Sequence, residues 1–281
     1  MDTQILETMM SITRRLLPAL AFALLIPVSA VPAKAADPAL QALIDGPQRS
    51  EKNSARDKYR HPLEVLTFFG LTPDQTVVEI LPGAGGYWTE ILAPYLKANG
   101  HYIAANNEKA STSPDDQKDN AALAAKLAAS PQNYDKVEVT EFGADRVAIA
   151  PPGSADLVVT FRNVHNWMAD GETAGAFAAF YKALKPGGVL GIEEHRGDPS
   201  KPQDPLAKSG YVREDVIIGF AEAAGFRFAG SSEINANPKD TKDYPDGVWT
   251  LPPALLLKDV DRAHYLAIGE SDRAILKFVK P

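Results

Sequence analysis

Residues Thr76 to Tyr95 read TVVEILPGAGGYWTEILAPY, an apolar strand that ends in a glycine turn and passes straight into a helix. Val77, Val78, Ile80 and Leu81 form the near-continuous apolar run expected of a central parallel strand buried on both faces. Glu79 interrupts that run, and a carboxylate there is costly unless it is paired, hydrogen bonded or turned toward a ligand. Gly83, Gly85 and Gly86 follow, and glycine lets the backbone take positive φ and approach a ligand closely. From Tyr87 to Lys97 the pattern is helical, with Trp88, Ile91, Leu92, Tyr95 and Leu96 at three-and-four spacing. A strand, a glycine turn and a helix in this order bring backbone N–H groups to the place where doubly wound sheets bind nucleotides. Many α/β connections contain two glycines for conformational reasons alone, so the rest of the chain must decide.

Upstream, Arg14 and Arg15 precede an apolar stretch from Leu16 to Val31, and Ala33-Lys34-Ala35 offers small residues before Ala36. This is the n-region, h-region and cleavage-site order of a secretory signal peptide over residues 1–35. Pro18, Pro27 and Pro32 break the run, which is short of the roughly 20 residues a membrane span needs. The expectation is therefore export to the periplasm or cell envelope, with no stable span after cleavage. The chain has no cysteine, which excludes a disulfide framework, a thiolate nucleophile and a cysteine zinc site. Without residues 1–35 it carries 26 basic and 34 acidic residues, a net charge of −8. With no local basic patch in view, that charge argues against a nucleic-acid partner.

Asp37 caps a short helix to Ile44 with Pro38 at its first position. Ser50 to Arg60, SEKNSARDKYR, is dense in charge and lies before the apolar helix Leu63 to Phe69. Residues 36–70 are thus read as a helical extension, whose charged part is either a solvated face or a lid over the glycine turn. Further strands are expected at Gly100–Asn106, Val137–Phe142, Ala155–Phe161, Val189–Glu193, Phe226–Glu233 and Arg273–Val279. Helices are expected at Asn120–Ala129, Glu172–Leu184 and Val212–Ala224. Alternating strands and helices argue a parallel sheet covered on both faces. The last two strands lack a crossover helix, which allows an antiparallel pair.

Three segments now carry a resemblance, over roughly Leu71 to the C-terminus. They are EILPGAGG at 79–86, ADLVVTFRNVHNW at 155–167 and ALKPGGVLGIEEH at 183–195. Together they resemble the class I S-adenosylmethionine-dependent methyltransferases, and look like an exported branch of that family. The resemblance implies a doubly wound, seven-stranded, mainly parallel sheet over residues 71–281, with the short N-terminal helical extension before it. It also implies S-adenosylmethionine as cofactor.

Carried over residue by residue, Glu79 stands at the family's acidic position, and Gly83 and Gly85 match its second and third turn glycines. Leu81 replaces the first, a departure that bears on the tightness of the turn. At the end of the second strand, where the family usually places an acid that binds both ribose hydroxyls, the register puts Asn106, with Glu108 two residues later. Asp145, after the third strand, is either the acid that contacts the adenine amino group or a solvated loop acid. The sulfonium would be met by the glycine turn and by the loop after the fourth strand, where Arg162 and Asn163 suit either an anionic or amide substrate group or the capping of a neighbouring helix.

His165 in that loop stands where a general base would, and its ordinary pKa near 6.5 suits the role; it equally suits a histidine that orients the loop. Glu193, Glu194, His195 and Arg196 end the fifth strand at the same edge of the sheet. Glu194 and His195 join His165 as catalytic candidates, although strand alternation points them to opposite faces. A second base, a His165–His195 metal pair and a salt-bridged strand end all remain open, and no HExxH or comparable spacing supports a metal. Trp167, Tyr244 and Trp249 are candidate pocket walls or core residues.

The reading that results is an exported enzyme moving a methyl group to an O or N acceptor on a small molecule or envelope component. Its rival is a non-catalytic binding protein of the same fold, holding a nucleoside or other small ligand. A hydrolase lacks its GxSxG elbow.

Overall fold

The computed structural model describes residues 37–143 and 148–281. The leader expected over residues 1–35 and the adenine candidate Asp145 lie outside the described residues. Among the described residues, no helix is long and apolar enough to cross a membrane.

The opening strand is β1 (Thr76–Ile80), and its apolar run is buried from both sides. Val77 and Val78 are both fully buried, yet they enter different cores, because successive strand side chains point to opposite faces. Val77 packs in the cluster that holds Leu66, Leu92 and Leu157. Val78 joins the one with Phe177, Phe180 and Leu190. Six more strands complete the sheet: β2 (His101–Asn107), β3 (Glu138–Phe142), β4 (Ala155–Phe161), β5 (Leu184–His195), β6 (Arg227–Ser232) and β7 (Arg273–Val279). They lie in the order β3-β2-β1-β4-β5-β7-β6. The first five run parallel, and β7 is antiparallel to both β5 and β6. Strand order reverses at β1, whose neighbours are β2 and β4; a crevice opens at such a switch point, beyond the carboxyl ends of the strands.

Among the described residues, four short helices precede the sheet: α1 (Pro38–Ile44), α2 (Glu51–Ser54), α3 (Asp57–Arg60) and α4 (Pro62–Phe69). Asp37 caps α1 by accepting from the Ala39 N–H at 2.8 Å. Gly70 ends α4 at φ +86°, a left-handed C-terminal residue where glycine carries no Cβ penalty. The remaining helices are α5 (Thr89–Leu96), α6 (Pro114–Ala129), α7 (Pro131–Tyr134), α8 (Val164–Asp170), α9 (Thr173–Ala183), α10 (Glu214–Ala223) and α11 (Arg262–Ile268).

Boundaries moved where caps and bulges override periodicity. Helix α6 starts six residues earlier than its apolar pattern, since Ser113 accepts from the Asp116 N–H and Pro114 takes the first turn. Strand β5 is longer than Val189–Glu193. Its pairing with β4 steps from Ala155–Leu184 to Leu157–Val189, so Lys185–Gly188 bulges within the strand rather than forming a loop before it.

Candidate functional site

A cavity of about 860 Å³ lies over the carboxyl ends of β1, β2 and β4, within the size range of small-molecule sites. Its floor is the turn from Leu81 to Trp88. Leu81 takes φ +49° and Gly83 φ +69°. A left-handed conformation costs a residue with a Cβ about 1–2 kcal/mol. The chain thus keeps a glycine-like turn at Leu81 despite the side chain, and the Leu81 N–H donates to the Ala105 carbonyl at 2.8 Å.

Glu79 lines the cavity and is 1% exposed. Its Oε2 accepts from Tyr102 Oη at 2.5 Å and Thr89 Oγ1 at 3.3 Å. Burial pushes its pKa up to about 7, against the pull of these two hydroxyls.

At the end of β2 the structure separates the two candidates. The Asn106 side chain is buried away from the cavity lining, and its Nδ2 donates to Asn120 Oδ1 at 2.7 Å. Asn107 and Glu108 line the cavity instead. Glu108 Oε1 is buried with no hydrogen-bond partner, and so is Nε1 of Trp88, another lining residue. Buried polar groups are normally paired, so an unmet carboxylate acceptor and an unmet indole donor in one cavity mark places for ligand groups. Gly83 and Gly85 line it too. Asn163 bridges two strand ends from the wall, donating to the Ile80 carbonyl at 3.2 Å and Thr160 Oγ1 at 3.0 Å.

Charge divides this cavity. On the β2 side, Glu108 is joined by Asp115, Asp116 and Asp119 from α6. The other end carries Arg56 and Arg60 from the N-terminal helices and Arg162 from the end of β4. The charge-dense stretch thus reaches the turn: Asn53 Nδ2 donates to the Gly85 carbonyl at 3.0 Å. Sequence reasoning held the stretch with Asn53, Arg56 and Arg60 only as a possible lid, and left Asn107 and the α6 aspartates out of the site. A charged stretch with no apolar face was the available signal for the first three.

His165, Glu194 and His195 do come together, but none of them lines the cavity. One ligand atom from each lies within 4.8 Å of the others, and all three residues are buried. Glu194 is the hub. Its Oε2 accepts from the Val164 N–H at 2.7 Å and the His165 N–H at 3.3 Å. Its Oε1 accepts from the His195 N–H at 2.8 Å and lies 3.0 Å from His165 Nδ1. With four N–H donors on two oxygens, the carboxylate already has its partners from the protein and pins the start of α8 to β5. The His195 ring meets Ser271 Oγ through Nδ1 at 2.5 Å, and burial, then the charges of His165 and Arg273, hold its pKa well below the usual range. Glu193 points the other way: Asn235 Nδ2 donates to its Oε2 at 2.9 Å, and Arg273 Nη1 and Arg162 Nε lie 3.6 and 3.8 Å from its Oε1. Of the aromatic candidates, Trp167 lines the main cavity, whereas Tyr244 and Trp249 line a separate surface pocket with Lys208.

No family model matches the chain, and no curated protein matches it. Solved structures do. An S-adenosylmethionine-dependent methyltransferase from Aquifex aeolicus aligns with a TM-score of 0.50 at 20% identity, over 70% of this chain and 91% of that one. The cyclase SpnF aligns with a TM-score of 0.53 at 16% identity, over 87% and 92%. Phosphoethanolamine N-methyltransferase 2 of Haemonchus contortus, solved in complex with S-adenosyl-L-methionine, gives 0.50 at 14%, over 86% and 60%. The fold is the Rossmann-like methyltransferase fold. That a cyclase shares the methyltransferase fold shows why function must be argued from the site.

Proposed function

We propose that this protein is an exported methyltransferase that takes a methyl group from S-adenosylmethionine to an oxygen or nitrogen atom of a small molecule or envelope component. The observation that carries this reading is the unpaired Glu108 carboxylate oxygen in a cavity floored by the glycine turn. A carboxylate there suits vicinal ribose hydroxyls, which donate to it. Glu108, Glu79, Gly83, Gly85 and Asn163 would hold the donor, while the leader pattern around Arg14 and Arg15 supports export.

S-adenosylmethionine supplies a methyl carbon on a sulfonium, open to in-line displacement. The protein's tasks are to align the acceptor and to take its proton if it is an alcohol or amine. Glu194 serves alignment, because it fixes the segment that carries Arg162 and Asn163. His165, in the first turn of α8 beside that segment, is the candidate base, which the His165→Ala protein tests: a base requires lost turnover at unchanged donor affinity.

One observation favours the rival reading, a binding protein of this fold: the histidines lie off the cavity wall. Calorimetric titration with S-adenosylmethionine and S-adenosylhomocysteine separates donor site from no donor site. Saturable micromolar binding, about −8 kcal/mol, is the expected result. Folded protein that binds neither ligand would remove methyl transfer from consideration.

A further inference from the structure

We infer that the methyl acceptor is an anion, carrying a carboxylate or phosphate group that Arg60 and Arg162 hold at the basic end of the cavity. The inference rests on the methyl-transfer reading for the word acceptor, but the anion site itself rests on the arginines.

Four guanidinium groups gather behind and along this end of the cavity: Arg56, Arg60, Arg162 and Arg273. Two carboxylates pair with them. Glu270 accepts from Arg56 Nε at 2.6 Å and Nη2 at 3.0 Å, and from Arg273 Nη2. Glu193 lies 3.6 Å from Arg273 and 3.8 Å from Arg162. Even with Glu79, which also faces Arg60, the four guanidinium groups outnumber the carboxylates in this mostly buried cluster. Burying an ion without full compensation costs several kcal/mol.

Of the three arginines that line the cavity, Arg56 is paired with Glu270, and the deficit falls on Arg60 and Arg162. Arg60 is 1% exposed, and its Nε and Nη2 have no hydrogen-bond partner. Its nearest carboxylate oxygen, on Glu270, is 3.6 Å from Nε, too far for a hydrogen bond. The guanidinium carbon sits 4.4 Å from the centre of the Tyr87 ring, which fixes the plane of the fork without using its N–H groups. Arg162 Nε is likewise buried and unpaired, and its backbone takes φ +63°. Strained positions of this kind gather at binding sites. A planar fork with free donors fits the two oxygens of a carboxylate or phosphate.

Position assigns this anion to the acceptor. Arg162 ends β4, and the carboxylates that compensate the cluster come from β5 and the approach to β7. Glu108 and the α6 acids lie on the β2 side, across the glycine turn. The donor has a carboxylate of its own, however, so a test must tell the two sources apart.

The experiment is calorimetric titration of inorganic phosphate into the protein, first alone and then saturated with S-adenosylhomocysteine. Saturable phosphate binding that persists with S-adenosylhomocysteine in place is expected. It should weaken at least tenfold in Arg162→Gln, with the thermal midpoint used to check that this variant is folded. Arg60→Lys, which keeps the charge but loses the fork, should weaken it as well and covers failure of the first variant to fold. Phosphate binding abolished by S-adenosylhomocysteine would mean that the arginines hold the donor's carboxylate and would overturn the inference. Overturning it too would be S-adenosylhomocysteine binding with no phosphate binding in either state. Absence of S-adenosylhomocysteine binding defeats the methyl-transfer reading instead; phosphate binding that Arg162→Gln weakens would then still establish the anion site.

Discussion

Arg56 and Glu270 form a bidentate pair, Nε to Oε1 at 2.6 Å and Nη2 to Oε2 at 3.0 Å, joining the N-terminal helices to the segment that enters β7. Burial works against the Glu270 charge, but Arg273, Arg56 and Arg60 outweigh it and hold its pKa well below the usual carboxylate range. The folded value is depressed, so the stabilisation is present above the unfolded pKa of about 4.3 and is lost as pH falls below it. Glu270→Gln should therefore destabilise by about 3–5 kcal/mol at pH 7, the effect of stripping one partner from a buried ionic cluster. Urea unfolding at pH 7 and pH 3.5 checks this, and the difference between the two proteins must shrink at the lower pH. A constant difference would show that packing, not charge, holds this junction.

The Glu194 hub makes a second prediction about neighbours that look equivalent in sequence. Glu194→Ala leaves three backbone N–H groups and His165 Nδ1 without their acceptor. Each buried orphan costs about 1–3 kcal/mol, so the loss should exceed 3 kcal/mol. His165→Ala removes only one of these bonds and should cost distinctly less. Denaturant unfolding of both variants measures the order, and an equal or larger loss in His165→Ala would move the hub from the carboxylate to the ring.

Most of the sheet was legible because β1, β4 and β7 are predominantly apolar and are bounded by segments rich in glycine or proline. The site was legible only where local chain direction fixes a side chain. Glu79 and the glycine turn followed from β1 alone. Asn106 and Glu108 share strand parity, so choosing between them requires knowing that β2 ends at Asn107, beyond which Glu108 is free to meet the cavity. The sequence offered Arg162 as an anion contact and the stretch with Arg56 and Arg60 as a possible lid, but not their meeting, since Arg56 and Arg162 lie over a hundred residues apart and come together only through tertiary packing. Likewise, alternation placed Glu194 and His195 on opposite faces, but the Glu194 carboxylate folds back to the His195 N–H at 2.8 Å.

The turn at Leu81 and Gly83 tests whether backbone conformation carries part of the site. A Cβ on Gly83 would meet only Asp119 Oδ2, at 4.0 Å, so space does not oppose alanine there. Its φ of +69° does. Gly83→Ala should then cost about 1–2 kcal/mol through strain alone, read as a shift of the denaturation midpoint at unchanged slope. No loss would mean that the turn relaxes.

Glu108 is expected to trade stability for binding. Its buried, unpaired Oε1 is unfavourable in the free protein, and Glu108→Ala should leave stability unchanged or raise it. Donor affinity should fall at least tenfold in the same variant, about 1.4 kcal/mol. Calorimetry with S-adenosylhomocysteine and thermal unfolding give the two numbers. Unchanged affinity would remove Glu108 from the donor site.

Glu79 couples the same site to pH. Burial raises its folded pKa to about 7, against about 4.3 in the unfolded chain. Between these values the unfolded carboxyl gives up its proton while the folded one keeps it. Stability from this group therefore falls as pH rises from about 4.3 to 7 and is level above, a total of about 3 kcal/mol. Glu79→Gln has no such proton, so its stability relative to the parent should rise by about that amount between pH 4.5 and 7.5. A donor bearing positive charge favours the ionised form, and its binding at pH 6 should release a proton, seen as a dependence of the heat on buffer ionisation enthalpy. The amide of the Glu79→Gln variant has no proton to release, so the dependence must vanish there. If it persists, the proton comes from another group and Glu79 acts only through its bonds to Tyr102 and Thr89.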